Sequence, residues 1–269
     1  MTPHMTFDAH ALTDLTPDAA DRASPGPAFP GSPALGFLGG ALAGAALSMI
    51  FAVLTQYLLT NQVATGLALT LFGLGLTAMF GKPYEGVKAP AMPGGPFGIN
   101  WVIWLGLALV TLIWLLLNRT RPGLILRGVG ENHDAAHALG YKVRAVRMAV
   151  IATGGALAGL GGAYVSIATV LQWTEGMTAG AGWIALAIVV FAGWSPWGVL
   201  AGAWLFGGVT VMQLRLQAAG VAVPVQLLSM APYLATILVL VVISARQKYA
   251  RSASGAAPGS LGRPFHATR

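Results

Sequence analysis

The chain reads as long apolar stretches divided by short polar ones, and the stretch lengths predict the elements. From Gly31 to Phe80 there is no Asp, Glu, Lys or Arg. A helix needs about 20 apolar residues to cross a hydrocarbon core, so this run holds two crossings, predicted near 34–54 and 63–80. The polar patch Thr55, Gln56, Thr60, Asn61 and Gln62 marks the turn between them. A proline-rich loop follows, carrying Lys82, Glu85 and Lys88, and a charge-free run ending at Asn118 predicts a third span near 99–117. Its Trp101, Trp104 and Trp114 suit interfacial or helix-packing positions.

Residues 118–147 form the longest polar stretch within this apolar body, with Arg119, Arg121, Arg127, Lys142, Arg144 and Arg147 against Glu131 and Asp134. Beyond it, Glu175 is the only charged residue before Arg215. Spans are predicted near 148–172, 178–194 and 197–213, with Trp194, Ser195 and Pro196 as a turn because proline cannot continue the preceding helix. A last span near 225–244 precedes a basic tail, 245–269. The pattern predicts an all-α integral membrane protein, a polytopic bundle of about seven spans. Small residues recur at four-residue spacing: Gly36, Gly40 and Gly44, then Gly155, Gly159 and Ala163 beside Ala158 and Gly162, and Gly198 with Gly202. Such rows let helices approach closely in lipid, and a pore-lining role is the alternative reading.

Residues 1–33 differ in kind. Asp8, Asp14, Asp18 and Asp21 precede the segment SPGPAFPGSP, which predicts a polar, disordered leader. It has neither the basic start nor the apolar middle of a signal peptide, and its acidity argues against an organellar transit sequence.

Composition supports the membrane reading. Of 269 residues, 9% are charged and 56% hydrophobic, and 36 are glycine. Mean hydropathy is +0.71. A soluble domain carries about 25% charge, so lipid must be the solvent for most of this chain. The net charge of +7 does not point to nucleic acid, because most basic residues lie in the 118–147 loop and in the tail, at Arg246, Lys248, Arg251, Arg263 and Arg269. Flanking clusters of this kind mark cytoplasmic segments. Four predicted spans separate loop from tail, so both fall on one side, the cytoplasmic one, and the leader, three spans upstream, falls outside.

Enzyme chemistry is not assembled. There are 0 Cys, no G-x-S-x-G, and no His between His137 and His266. His133 and His137 stand at i, i+4, a spacing metal ligands use, but no third ligand is evident and a solvated helix face is the simpler reading. Ion-coupled carriers place ionisable groups within their spans; here the candidate is Glu175 alone, in WTEGMTAGAGW, where Gly176, Gly180 and Gly182 suit a broken backbone. An exposed loop carboxylate is the alternative. There is no G-x-x-x-x-G-K-[ST], so any ATP is bound by another subunit.

The segment GENHDAAHALGYKVRAVR, residues 130–147, predicts a short helix. Asn132 can accept from free N–H groups at its start, Asp134 complements the positive dipole end and Gly140 suits the stop. A helix of roughly 8 residues is marginal alone in water. Its Ala135, Ala136, Ala138 and Leu139 form a small apolar face that wants a partner, either a docking protein or the lipid headgroups.

At these residues the sequence resembles permease subunits of ABC importers, the family that handles branched-chain amino acids, simple sugars and nucleosides, and most nearly the nucleoside type. The resemblance rests on RGVGENHDAAHALGYKVRAVR at 127–147, GGALAGLGGAYVS at 154–166, WTEGMTAGAGWIALAIVVFAGWSPWG at 173–198 and NQVATGLALTLFGLGLT at 61–77, and extends over roughly 34–248. It implies a multi-pass subunit of the bacterial cytoplasmic membrane whose loop carries a coupling helix, with Glu131, Asn132, Ala135, Ala136, Leu139 and Gly140 at the interface. The implied partners are a cytoplasmic ABC ATPase that binds ATP and Mg, a second homologous permease, an extracytoplasmic solute-binding protein and membrane lipid. The implied function is import of a small polar solute, nucleoside first and simple sugar second. Asn61, Gln62, Glu175 and Trp183 are candidates for the translocation path, and Trp173 or Trp183 for stacking on a base. A polar leader stands where relatives carry one or two early spans, so early spans are expected to be missing. The rival reading is therefore an inactive remnant or assembly protein that keeps the docking loop and transports nothing.

Overall fold

The computed structural model describes residues 32–89, 95, 100–178, 180–220 and 257–265, together with 230, 234, 237 and 241. The helices are α1 (Pro33–Gln56), α2 (Gln62–Gly81), α3 (Trp101–Arg119), α4 (Arg121–Glu131), α5 (His133–Ala138), α6 (Val143–Tyr164), α7 (Ala181–Phe191) and α8 (Pro196–Ala218). A 3-10 turn, Lys82–Tyr84, extends α2, and a π turn, Val165–Thr169, extends α6. No β-strand forms among the described residues. Five helical segments are long and apolar enough to cross a membrane: α1, α2 with its 3-10 turn, α3, α6 with its π turn, and α8.

The small-residue rows bring α1 and α6 into contact. A Cβ at Gly40 would stand 2.9 Å from the carbonyl oxygen of Gly159 and 3.0 Å from the Ala163 methyl. One at Gly155 would stand 2.5 Å from the carbonyl oxygen of Gly44, and Ser48 closes the same seam from the side. Without hydrophobic drive between helices in lipid, such backbone proximity is what holds a pair together. Gly202 does the same on a smaller scale, where the Ile188 methyl of α7 would lie 2.9 Å from an added Cβ.

Two elements depart from the predicted bounds. The span predicted near 178–194 is only the 11-residue α7, about 17 Å long at 1.5 Å per residue and short of a full hydrocarbon core. Gly176 and Gly180 take φ of +73 and +80; these left-handed positions turn the chain and delay the helix start. The polar stretch 118–147 is mostly helical. α4 is an addition to the predicted elements there, and α6 begins inside it at Val143. Thr120 caps α4 by accepting the Gly123 N–H at 3.2 Å, with proline in the first turn. Gly123 lets α4 double back on α3, for a Cβ there would stand 2.7 Å from the Leu117 Cα.

The predicted turn at 194–196 is present. Gly193 and Trp194 both take positive φ, and Ser195 then caps α8 by accepting the Gly198 N–H at 3.0 Å. The last predicted span, 225–244, lies outside the described residues except for Met230, Leu234, Ile237 and Val241, four exposed helical positions spaced as one helix face. The leader and the rest of the tail also lie outside them.

The bundle has two distinct ends. At one, the end of α1, the start of α2, α4, α5, the start of α6 and Trp194 surround a common cleft. At the other, the turn after α2 meets the chain that follows α6: Glu85 bridges to Trp173, and the Ala89 N–H donates to the Leu171 carbonyl at 2.7 Å.

Candidate functional site

The site is built on Asn132, which ends one helix and starts the next. Its extended backbone stops α4, its N–H donating to the Gly128 carbonyl. Its side chain accepts from the N–H groups of Asp134 at 3.1 Å and Ala135 at 3.0 Å, two of the groups a helix start leaves unpaired. At the other end Gly140 takes φ +88. Its N–H donates to His137 at 2.9 Å and the Tyr141 N–H to Ala136 at 3.1 Å, the paired closure of a Schellman motif. α5 is thus a single closed unit projecting between α4 and α6.

The C-terminal segment packs onto this unit. Ser260 accepts the His133 N–H at 3.1 Å and donates to the Glu131 carbonyl at 3.2 Å, while its own N–H donates to the Gly130 carbonyl at 2.9 Å. Arg147, in the first turns of α6, donates to the Arg263 carbonyl at 3.0 Å and approaches the Ser260 carbonyl at 3.5 Å. Phe265, 3% exposed, sits with Val129, Ala136 and Val143 in one apolar cluster. The His133 and His137 rings meet it edge-on, with centroids 5.4 and 5.3 Å away. The i, i+4 histidines therefore flank an aromatic ring. Among the described residues no three His, Cys, Asp or Glu side chains gather as a metal would require.

Arg147 also fixes the state of His133. A guanidinium can only donate, so the 3.2 Å contact at Nδ1 makes that nitrogen the acceptor and leaves Nε2 to carry the proton, 3.5 Å from an Asp134 carboxylate oxygen. Burial holds the His133 pKa below its ordinary value, and Arg147 and Arg263 push the same way against Asp134.

The apolar face foreseen on α5 is divided. Ala136 points inward and is 6% exposed, whereas Leu139 is 78% exposed; Glu131, Ala135, Ala138 and Gly140 are also on the surface. Leu139 and Ala135 border a cleft of about 1380 Å³ whose walls include Phe51, Gln62, Leu124, Arg127 and Val146. Its lining is mostly apolar, with Arg127, Glu131, Arg147 and Arg263 among it, an arrangement suited to receiving or supporting a partner.

The four candidate path residues do not meet. Asn61 caps α2, accepting from Val63 at 3.0 Å and Ala64 at 3.1 Å, and Gln62 lines the cleft beside α5. Glu175 is exposed in the turn after α6, and Trp183, 72% exposed, lies early in α7. Trp173 covers Gly81, where an added Cβ would press on its indole. Phe265, Ser260 and Arg147 were not singled out from the sequence. The available signal was an aromatic residue isolated in a basic tail. Gln56, within the predicted turn, instead ends α1 and is 5% exposed, bonded to Thr55 at 3.4 Å.

Comparison with known proteins places the chain in a family. A family model described as branched-chain amino acid transport system / permease component matches residues 11–245. A protein of Haloferax volcanii named as a candidate glucose ABC transporter permease is 36% identical over 77% of this chain and 74% of its own length. The nucleoside ABC transporter permease NupC of Lactococcus lactis is 33% identical over 78% of this chain and 73% of its own. The guanosine ABC transporter permease NupQ of Bacillus subtilis is 30% identical, covering 78% and 72%. No solved structure matches. With its apolar helices, its closed α5 unit and these matches across most of its length, the chain belongs to the ABC transporter permease family and is a multi-pass membrane protein.

Proposed function

We propose that this permease moves a small polyhydroxylated solute inward across the cytoplasmic membrane, nucleoside first and simple sugar second, with ATP hydrolysed by a separate subunit that docks on α5. The observation that carries this reading is the closed α5 unit. It is capped at both ends, and it presents Leu139, 78% exposed, beside an apolar cleft. A contiguous apolar cleft rimmed by polar residues, with Leu139 on its edge, is a docking feature. Glu131, Asn132, Ala135 and Gly140 border it; Ala136 serves from beneath.

The basic loop and tail support a cytoplasmic position for this end, with the Glu175 and Trp183 end outward. The outer end is where a solute-binding protein delivers its load, and a second permease completes the pathway. Two relatives named for nucleoside or guanosine support nucleoside, and the one named for glucose supports sugar as the second reading. The hydroxyls of ribose and of hexose ask the same of a pathway, namely hydrogen-bonding groups at both ends. The remnant reading is not favoured, because the match runs through 72% or more of each of these relatives.

The test is uptake of radiolabelled guanosine and glucose by proteoliposomes holding this chain, its ATPase, its partner permease and the binding protein. ATP-dependent guanosine uptake is expected. Glucose uptake alone would reverse the order of solutes, and no uptake of either, from a complex that assembles, would return the remnant reading.

A further inference from the structure

A six-residue helix cannot hold itself together in water. Its caps satisfy backbone groups but bury nothing. The inner face of α5 is buried by Val129 of α4, Val143 of α6 and, from the far end of the chain, Phe265, and the C-terminal segment makes three kinds of contact there. Ser260 takes the N–H of His133, the first helical residue, which Asn132 does not reach. Phe265 fills the space under Ala136 between the two imidazoles. Arg147 ties the segment to α6 through the Arg263 carbonyl. Gly259 allows the approach, since a Cβ there would stand 2.8 Å from the Glu131 carbonyl oxygen.

Phe265 packs against Ala136, the buried position of α5, while Leu139 stays 78% exposed, and Pro258, Ser260, Leu261 and Arg263 line the same cleft that Leu139 borders. The tail therefore forms part of the wall beside Leu139 without covering it, and it removes the freedom of the helix to roll or shift. Val143, 1% exposed, and Arg147 place the same cluster on the first turns of α6, and α6 packs along α1 through the glycine seam.

We propose that the segment Pro258–Phe265 is a brace that sets the orientation of the coupling helix, with Phe265 as its positioning residue. Resting on the docking role proposed for α5, the inference adds that a push on the outer face passes into α6 only while the brace is seated. Unbraced, α5 is a short helix on two flexible joints, Asn132 and Gly140, and displacement of the ATPase is absorbed there. Coupling demands that contacts differ between the two states of the transporter, and a yielding joint erases that difference.

The test uses the full chain in nanodiscs with its partner permease, comparing F265A, F265L, S260A and L139D with the parent protein. Hydrogen exchange at the amides of residues 134–139, measured before the ATPase is added, reads the brace directly. F265A is expected to speed it about tenfold or more through local opening, S260A less, and F265L to restore most of the protection. Titration with the ATPase then reads positioning: F265A should weaken half-saturation roughly tenfold, the penalty of a docking conformation populated only fractionally, with F265L close to the parent. Unchanged exchange in F265A and S260A overturns the brace. Faster exchange with unaltered ATPase binding, in a series where L139D abolishes binding, reduces it to a structural contact and overturns positioning. Unaltered binding in L139D overturns the docking reading instead, whatever the exchange shows. Should F265A fail to reach the membrane, S260A carries both measurements.

Discussion

Ser260 accepts the backbone N–H of His133 at 3.1 Å across 127 residues of chain. A helix start leaves its first N–H groups without partners. In α5 Asn132 takes two of them and Ser260 takes the one before. Replacing Ser260 by Ala strands that N–H in a buried place, at a cost of about 1–3 kcal/mol. S260A is therefore expected to loosen residues 130–139 without lowering the amount of permease in the membrane, as read by limited proteolysis of the loop.

Acid should have the same effect through His133. With the tail seated, burial first, then Arg147 and Arg263, hold the His133 pKa below its ordinary value against Asp134; release of the tail removes burial and Arg263, so the pKa rises toward the ordinary value, about 6.5. Release therefore takes up a proton between the two values. The contact is at full strength above about pH 6.5 and weakens as the pH falls through the lowered value. Protection of the loop amides, corrected for intrinsic exchange, should drop between pH 7 and pH 5 in the parent protein. H133Q, which cannot gain that charge, should show a flat profile, and an equally steep loss in H133Q would remove His133 as the cause.

The seam between α1 and α6 sets a steric test. Gly155→Val puts a branched side chain against the Gly44 carbonyl and Ser48, and overpacking of this kind costs about 1–3 kcal/mol or more. Gly39→Ala, with open space around it, is the control. G155V should lower the thermal transition of the detergent-solubilised protein by several degrees and G39A should leave it in place.

Two substitutions one turn apart, Ala136 within α5 and Leu139 at its C-cap, should differ in kind. Leu139→Asp changes an exposed residue, so it should leave loop protection intact and abolish ATPase association. Ala136→Asp puts a carboxylate against Phe265 and Val143, which carries a desolvation penalty of several kcal/mol. It should expose the loop to protease before any ATPase is added. Identical behaviour of the two variants would mean that the face is not divided as described.

Glu175 offers a test of the outer end. Its carboxylate is exposed among turn glycines, so E175Q should leave the fold and ATPase association unchanged while slowing uptake severalfold. An unaltered uptake rate would make it an ordinary loop residue.

Much of this protein was determined by the sequence alone. The absence of charge from Gly31 to Phe80 forces helices there, since only a closed backbone survives in lipid. The rows at Gly40 and Gly155 already marked faces of close approach, and Asn132 and Gly140 marked the ends of α5, because caps and periodicity are local properties. Tertiary structure alone decided which row meets which, and that Ala136 faces inward while Leu139 stays free. It also supplied Phe265. A lone phenylalanine in a polar tail has no periodicity to announce its partner, and the space it fills exists only once α4, α5 and α6 have come together.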